Sequence, residues 1–314
     1  MRVRRTAVIG LAACLALACG SARADNNDFT LERIIGIPSS TNPLDLSGDV
    51  RRNTMYRSLM SEMGVVLAPR YLSPSDTLGY SGFQVAFEAG FIQVSNTADF
   101  WKLGVNNVSG QFLETVSVMA RKGIWLPLPA FEIGAGATKL IGGSLFALQA
   151  YAKLSLHEGF HDWPIPSLAV RGAVSRVAGS PQVDLTIVSV DTSVSKSFGL
   201  GGTSTLDPYV GFAALMTFAR GQVIDATPNI DAYRDGPTSL DLNSNTTFPD
   251  PDTILRWQVF GGFRIKYSWL ALTAEFVYTL CNSTGSDCTK RPANKVVDAS
   301  DGQAIVNLSG SLIF

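Results

Sequence analysis

The chain is short of charge. Asp, Glu, Lys and Arg make up 16% of its 314 residues, against 46% hydrophobic. A soluble domain carries about a quarter charged residues. It is also short of site-building residues, with two histidines and four cysteines. After the N-terminus it lacks any run of about 18 apolar residues, which excludes a transmembrane helix. Much apolar residue without a long apolar run means that the apolar side chains are spread thinly over many strands.

Residues 1–24 read as a secretory signal peptide. Arg2, Arg4 and Arg5 form its basic start, Thr6 to Ala18 its apolar stretch, and Ala22-Arg23-Ala24 a small-x-small cleavage site. The rival reading is lipoprotein processing at Cys14 or Cys19. The segment holds four of the 25 Lys and Arg and no acid, which leaves 21 basic against 26 acidic residues, formally −5. That balance argues against nucleic acid as a partner. Cys281 and Cys288 remain, in the polar loop sequence CNSTGSDC. In an exported chain they read as a local disulfide; a zinc pair lacks further Cys or His nearby.

Residues 25–79 differ from the rest. Val50, Met55, Leu59, Met60 and Met63 lie near helical spacing, with Arg51, Arg52, Arg57 and Glu62 between them. This predicts one amphipathic helix over 49–63, capped by Ser47 or Asp49. Residues 64–72, broken by Pro69, read as a strand or a plug segment.

From Tyr80 the period is two. One face carries Phe83, Val85, Phe87, Ala89 and Phe91, the other Gln84, Ala86, Glu88 and Gly90. The same alternation recurs over 144–156, 208–218, 255–267 and 270–280, and more weakly over 112–122, 128–138, 166–177 and 182–197. In 182–197 Val188 and Val190 fall out of phase with Leu185 and Ile187, which predicts a bulge. The last strand sets Leu312, Gly310, Leu308, Val306 and Ala304 against Ser311, Ser309, Asn307 and Gln303, and ends on Phe314. The expectation is an all-β fold: an antiparallel transmembrane β-barrel of about ten strands over 80–314, behind an N-terminal helix-containing plug or periplasmic segment. A strand at 64–72 with another near 31–38 gives the alternative of twelve.

Loop lengths set the orientation. With the last strand ending in the periplasm, the long linkers 96–110, 222–252 and 282–301 are external, and Trp125, Trp163 and Trp269 form a periplasmic girdle.

The chain as a whole resembles bacterial outer-membrane β-barrel proteins. Its terminal strand, with Val306, Leu308, Leu312 and Phe314, looks like the signal read by the barrel assembly machinery. That resemblance implies a Gram-negative source, an outer-membrane location and membrane lipid as partner. A second resemblance, to the long-chain fatty-acid transporter family, rests on the helix-bearing stretch 47–63 ahead of the first strong strand. This chain is shorter, with fewer strands, so no ligand residues carry over.

His157-Glu158-Gly159-Phe160-His161 matches H-E-x-x-H, the zinc protease pattern, which needs a helix. Here it follows a period-two strand, and Pro164 and Pro166 end any helix. It reads as a polar turn and a chance match, so no metal, cofactor or enzymatic activity is expected. The lumen-facing charges are Glu88, Glu132, Lys153, Arg171, Arg256, Arg264, Lys266 and Glu275. They either pair with one another or meet a solute; Glu275 and Arg264 are expected near one another across the 267–269 turn. Two functions follow. One is a porin-like passive channel or uptake barrel for a small solute. The alternative is a closed structural or surface-interaction barrel acting through its external loops.

Overall fold

The computed structural model describes residues 26–36, 47–107, 110–125, 130–158, 165–225, 245–281 and 295–314. The signal peptide, His161, Trp163 and Cys288 lie outside them. Ten long strands form the wall: β1 Phe83–Gln93, β2 Phe112–Ile124, β3 Phe131–Leu140, β4 Phe146–His157, β5 Ser167–Ala178, β6 Val183–Ser195, β7 Ser204–Gly221, β8 Ile254–Tyr267, β9 Leu270–Thr279 and β10 Gln303–Ile313. Each pairs antiparallel with its neighbours in sequence. β1 pairs with β10 from Gln84↔Ile313 to Ile92↔Ile305, which closes the ring. Closure leaves no unpaired edge for lipid to face.

Among the described residues three helices accompany the wall: α1 Glu32–Ile35, α2 Ser47–Val66 and α3 Asp99–Gly104. Residues 67–79 form neither helix nor strand, so the wall has ten strands and not twelve. The register of β6 is continuous against both β5 and β7, and the expected bulge is absent. The irregularity lies instead in β4, between Ser155 and His157.

Alternation sorts the side chains. Phe87, Leu148, Val210, Leu272 and Phe276 point outward and are more than half exposed. An apolar belt of this extent around a closed barrel is a lipid-facing surface. The protein is an outer-membrane barrel. The connections 94–111, 222–253 and 280–302 leave one end, and the two-residue turn 268–269 the other. Barrels of this kind put long loops outside and short turns in the periplasm. Tyr80, Trp125, Tyr267, Trp269 and Phe314 are exposed around the periplasmic rim, and Tyr80 meets Trp125 edge to face at 6.1 Å.

The interior is layered. Its external half is apolar: Ile92, Leu113, Leu140, Leu185, Ile187, Leu215, Ile254 and Ile305 are buried there. Its periplasmic half is polar, with Glu88, Arg121, Glu132, Lys153, Arg171, Asp191 and Glu275 buried. This explains the phase problem in β6. Val183, Leu185 and Ile187 face the lumen in the apolar layer, and Ser189, Asp191 and Ser193 continue the same face in the polar one. Val188 and Val190 face lipid throughout. Large lumen side chains are admitted by glycine opposite: Tyr151 lies over Gly134, Phe260 over Gly211 and Tyr209 over Gly262. A Cβ on any of these glycines would sit within 3 Å of the ring.

Candidate functional site

The lumen is occupied by the chain itself. α2 enters it from the external end, and residues 67–79 continue to the periplasmic mouth. The sequence explains why a helix forms there: it has no proline over 47–66, and its two glycines, Gly48 and Gly64, lie near its ends. It is not amphipathic as expected. From Ser58 to Leu72 every residue is buried, whatever its polarity, because the external connections cover its first part and the wall surrounds the rest. Gly64 lies against Thr217, where a Cβ would sit 2.4 Å from the hydroxyl oxygen.

The external half of this plug packs on apolar side chains. Leu59, Met60 and Met63 join Leu31, Ile34, Phe100 and Trp101 in one core. Polar groups of α2 find partners among the loops. Arg256 donates to the Ser61 hydroxyl at 3.0 Å, the Ser300 hydroxyl at 2.6 Å and the Asp301 carbonyl at 2.7 Å. The Glu62 carboxylate accepts the Ser95 N–H at 2.9 Å and the Trp101 indole N–H at 2.6 Å. It lies beyond the strand ends, among loop residues. Burial pushes the Glu62 carboxyl above the ordinary range, against the opposing pull of these donors and of Arg256.

Below Leu67 the segment is extended and held by hydrogen bonds. The Arg171 guanidinium donates to the carbonyls of Arg70 at 2.8 Å and Tyr71 at 3.2 Å. Arg121 donates to the Leu72 carbonyl at 3.0 Å, and the Leu72 N–H donates to Glu275 at 2.7 Å. Lys153 donates to the Ser73 hydroxyl at 2.9 Å and to the carbonyls of Pro74 and Asp76. The Thr77 N–H reaches Glu158 at 2.9 Å, and the Leu78 N–H reaches Glu132 at 3.1 Å. Tyr71 stacks on Phe260 at 4.1 Å, donates its hydroxyl to Gln258 and carries the Arg171 guanidinium over its other face at 4.8 Å. A backbone with no sheet partner is thus satisfied by wall side chains, as burial requires.

The wall charges pair across adjacent strands: Arg121 with Glu88 at 2.6 Å, Lys153 with Glu132 at 3.2 Å, Arg171 with Asp191 at 2.8 Å and Arg264 with Asp207 at 2.8 Å. Six of the eight expected lumen residues are buried: Glu88, Glu132, Lys153, Arg171, Arg256 and Glu275. Arg264 is slightly exposed, and Lys266 is half-buried at the periplasmic mouth. Glu275 and Arg264 are diagonal neighbours on one face across the turn, as expected, but they do not pair with one another. The register sets Glu275 opposite Gly262 and Asn307 and Arg264 opposite Asp207, so Arg264 takes Asp207 and Glu275 takes the Tyr209 hydroxyl and the Asn307 amide. Arg121, Asp191, Asp207, Arg70 and Tyr71 were not legible as site residues. Strict parity from Ser117 through Met119 finds Arg121. Asp191 was hidden by the apolar layer of β6, and Asp207 by a stretch that reads as turn. Arg70 and Tyr71 lie where no period runs.

The polar turn after β4 also serves the plug, since the Glu158 carboxylate holds the Thr77 N–H and hydroxyl. Among the described residues no three His, Cys, Asp or Glu side chains group as metal ligands. Phe314 and Phe83 exchange main-chain hydrogen bonds of 2.8 and 2.9 Å, completing the β1–β10 seam.

No family model matches the chain, and no curated protein matches it. Among solved structures it is similar to Neisserial surface protein A, at 12% identity and a TM-score of 0.30 over 74% of this chain and 95% of that one. It is similar to Ail, the attachment invasion locus protein of Yersinia pestis, at 7% and 0.27 over 75% and 99%. It is similar also to OmpT, an outer membrane protein of Vibrio cholerae, at 14% and 0.24 over 65% and 56%. These scores are too low to bear on any residue's role, and the barrel rests on its own strand pairing.

Proposed function

We propose that this is a closed, non-enzymatic outer-membrane barrel that acts through its external face, its lumen sealed by residues 47–79. The filled lumen carries the reading: every residue from Ser58 to Leu72 is buried, the first few beneath the external connections and the rest within the wall. A ten-strand interior is narrow enough for one chain segment and the wall side chains to fill it. Planar bilayer recording tests this. The intact protein should give no steady conductance, and Tyr71→Ala with Arg171→Ala should give flickering openings. A stable open level from the intact protein would refute the sealed reading.

A second reading is uptake of a small solute past a displaced plug, in line with the fatty-acid transporter resemblance. It is favoured by the periplasmic half of the plug, which is held mainly by hydrogen bonds, with the Tyr71–Phe260 stack beside them. Two finer assignments go with the first reading. Cys281 pairs with Cys288 to close an external loop, and Phe314 is the residue by which the assembly machinery reads the terminal strand.

A further inference from the structure

The course of the chain ahead of β1 is one-way. Residues 26–36 lie at the external end. The Asn27 N–H donates to the Gly142 carbonyl at 2.9 Å, and the Asn107 N–H to the Asn26 carbonyl at 2.7 Å. Asp28 accepts from the Ser144 N–H at 2.6 Å, and the Leu31 N–H donates to Gln182 at 2.9 Å. All these partners sit in external connections. From there α2 and residues 67–79 descend, and Gly79 meets Gly82 at the periplasmic rim, where β1 begins. The described residues ahead of the first strand therefore run from the external end to the periplasmic rim.

An exported chain reaches the outer membrane from the periplasm. Residues 26–36 and the external part of α2 have thus passed to the far side. Passage through lipid is closed to them: Asp49, Arg51, Arg52, Arg57 and Glu62 lie within α2, and the extended segment has no wall of its own to satisfy its backbone in hydrocarbon. The lumen, where residues 67–79 still lie, is the route that satisfies these groups. It now holds residues 70–79 as a single extended strand of chain between buried wall side chains, so it admits unfolded polypeptide and not a folded domain.

We propose that the barrel carries its own N-terminal segment to the cell face through the lumen, and that the plug is the tail of that passage left in place. The proposal rests on the sealed outer-membrane barrel argued above. Flexible sequence joined ahead of Asn26 travels the same way. Return is opposed by the core that forms only at the external end, where Leu31, Ile34 and Leu59 pack with Trp101. The same wall groups that grip residues 70–78 line the whole polar half of the route. They hold main-chain atoms, which every sequence offers, so the path does not select for side chains.

The test is cysteine accessibility to a membrane-impermeant maleimide in intact cells, in a Cys281→Ser, Cys288→Ser background. Arg33→Cys reports the N-terminal segment, Asp250→Cys an external connection and Thr203→Cys a periplasmic turn. The expected result is labelling of Arg33→Cys equal to that of Asp250→Cys, with Thr203→Cys labelled only after the outer membrane is permeabilised. Arg33→Cys silent beside a labelled Asp250→Cys would overturn the proposal while leaving the barrel reading intact. The reversed pattern for Asp250→Cys and Thr203→Cys would overturn the barrel's orientation itself. A second arm joins cargo ahead of Asn26. A short flexible epitope should reach antibody on intact cells, and a disulfide-closed domain should reduce that signal at least tenfold. Equal display of both would overturn the lumen as the route.

Discussion

Arg171 is 4% exposed and serves the wall and the plug at once. Its Nε donates to Asp191 at 2.8 Å, its Nη1 to two plug carbonyls, and its plane lies between the rings of Tyr71 and Tyr151 at 4.8 and 5.4 Å. Removing one partner of a buried pair strands the other charge. Arg171→Ala should therefore destabilise the folded barrel by about 3–5 kcal/mol, read as a lower urea midpoint for loss of the folded gel band. Replacing both partners, Arg171→Met with Asp191→Leu, removes the stranded charge and should restore most of the loss. A double variant no better than Arg171→Ala would show that the contacts to Tyr71 and its carbonyl, and not the ion pair, carry the effect.

Among the elements, the cap formed by α1, α2 and α3 carries a titratable latch. Glu62 is more readily protonated docked than free, because burial disfavours its charge. The docked cap therefore binds a proton more tightly, and docking strengthens as pH falls through the window between the ordinary and the raised value. Above that window the ionised carboxylate opposes docking in full. Trp101 fluorescence, with the other four tryptophans replaced by Phe, should show less acrylamide quenching at the acid side. Glu62→Gln should remove this pH dependence, and its persistence would assign the effect elsewhere. The seam makes a second prediction. Deleting Phe314 removes two main-chain bonds to Phe83, each worth about 1 kcal/mol, at the end of the closing strand pair. Folded yield in membranes should drop, with the surviving fraction of normal mobility.

At the scale of the molecule, closure and plugging act together. Ten strands leave no edge to unzip, and the lumen adds buried ion pairs and a threaded segment to that ring. Unboiled protein should run apart from boiled protein on SDS gels, and membranes washed with carbonate should retain it. Identical migration together with release by carbonate would contradict the barrel. Loss of the plug should lower the temperature of the mobility change without abolishing it, since the wall pairing stays whole.

The wall was legible in the sequence because its cause is local. A strand between lipid and lumen imposes a period of two on its own residues, so Phe83–Phe91 and Leu270–Leu280 show their faces with no knowledge of their neighbours. The apolar external layer of the lumen broke that code in β6, where Leu185 and Ile187 face inward for want of water there. The charge pairing was half legible: parity placed Glu88, Lys153 and Arg171 inside, but partners depend on register between strands, which joins Arg264 to Asp207 and not to Glu275. The plug was legible only as one of two alternatives for the stretch ahead of the first strand, and its contacts were not legible. Residues 67–79 satisfy their backbone through Arg121, Lys153, Arg171, Glu132, Glu158 and Glu275, side chains scattered over more than 150 positions of the wall. The local pattern determined the ring of strands and the membrane it sits in. Only the tertiary structure decided that residues 67–79 run through the lumen, because that depends on which distant side chains close around a segment with no pattern of its own.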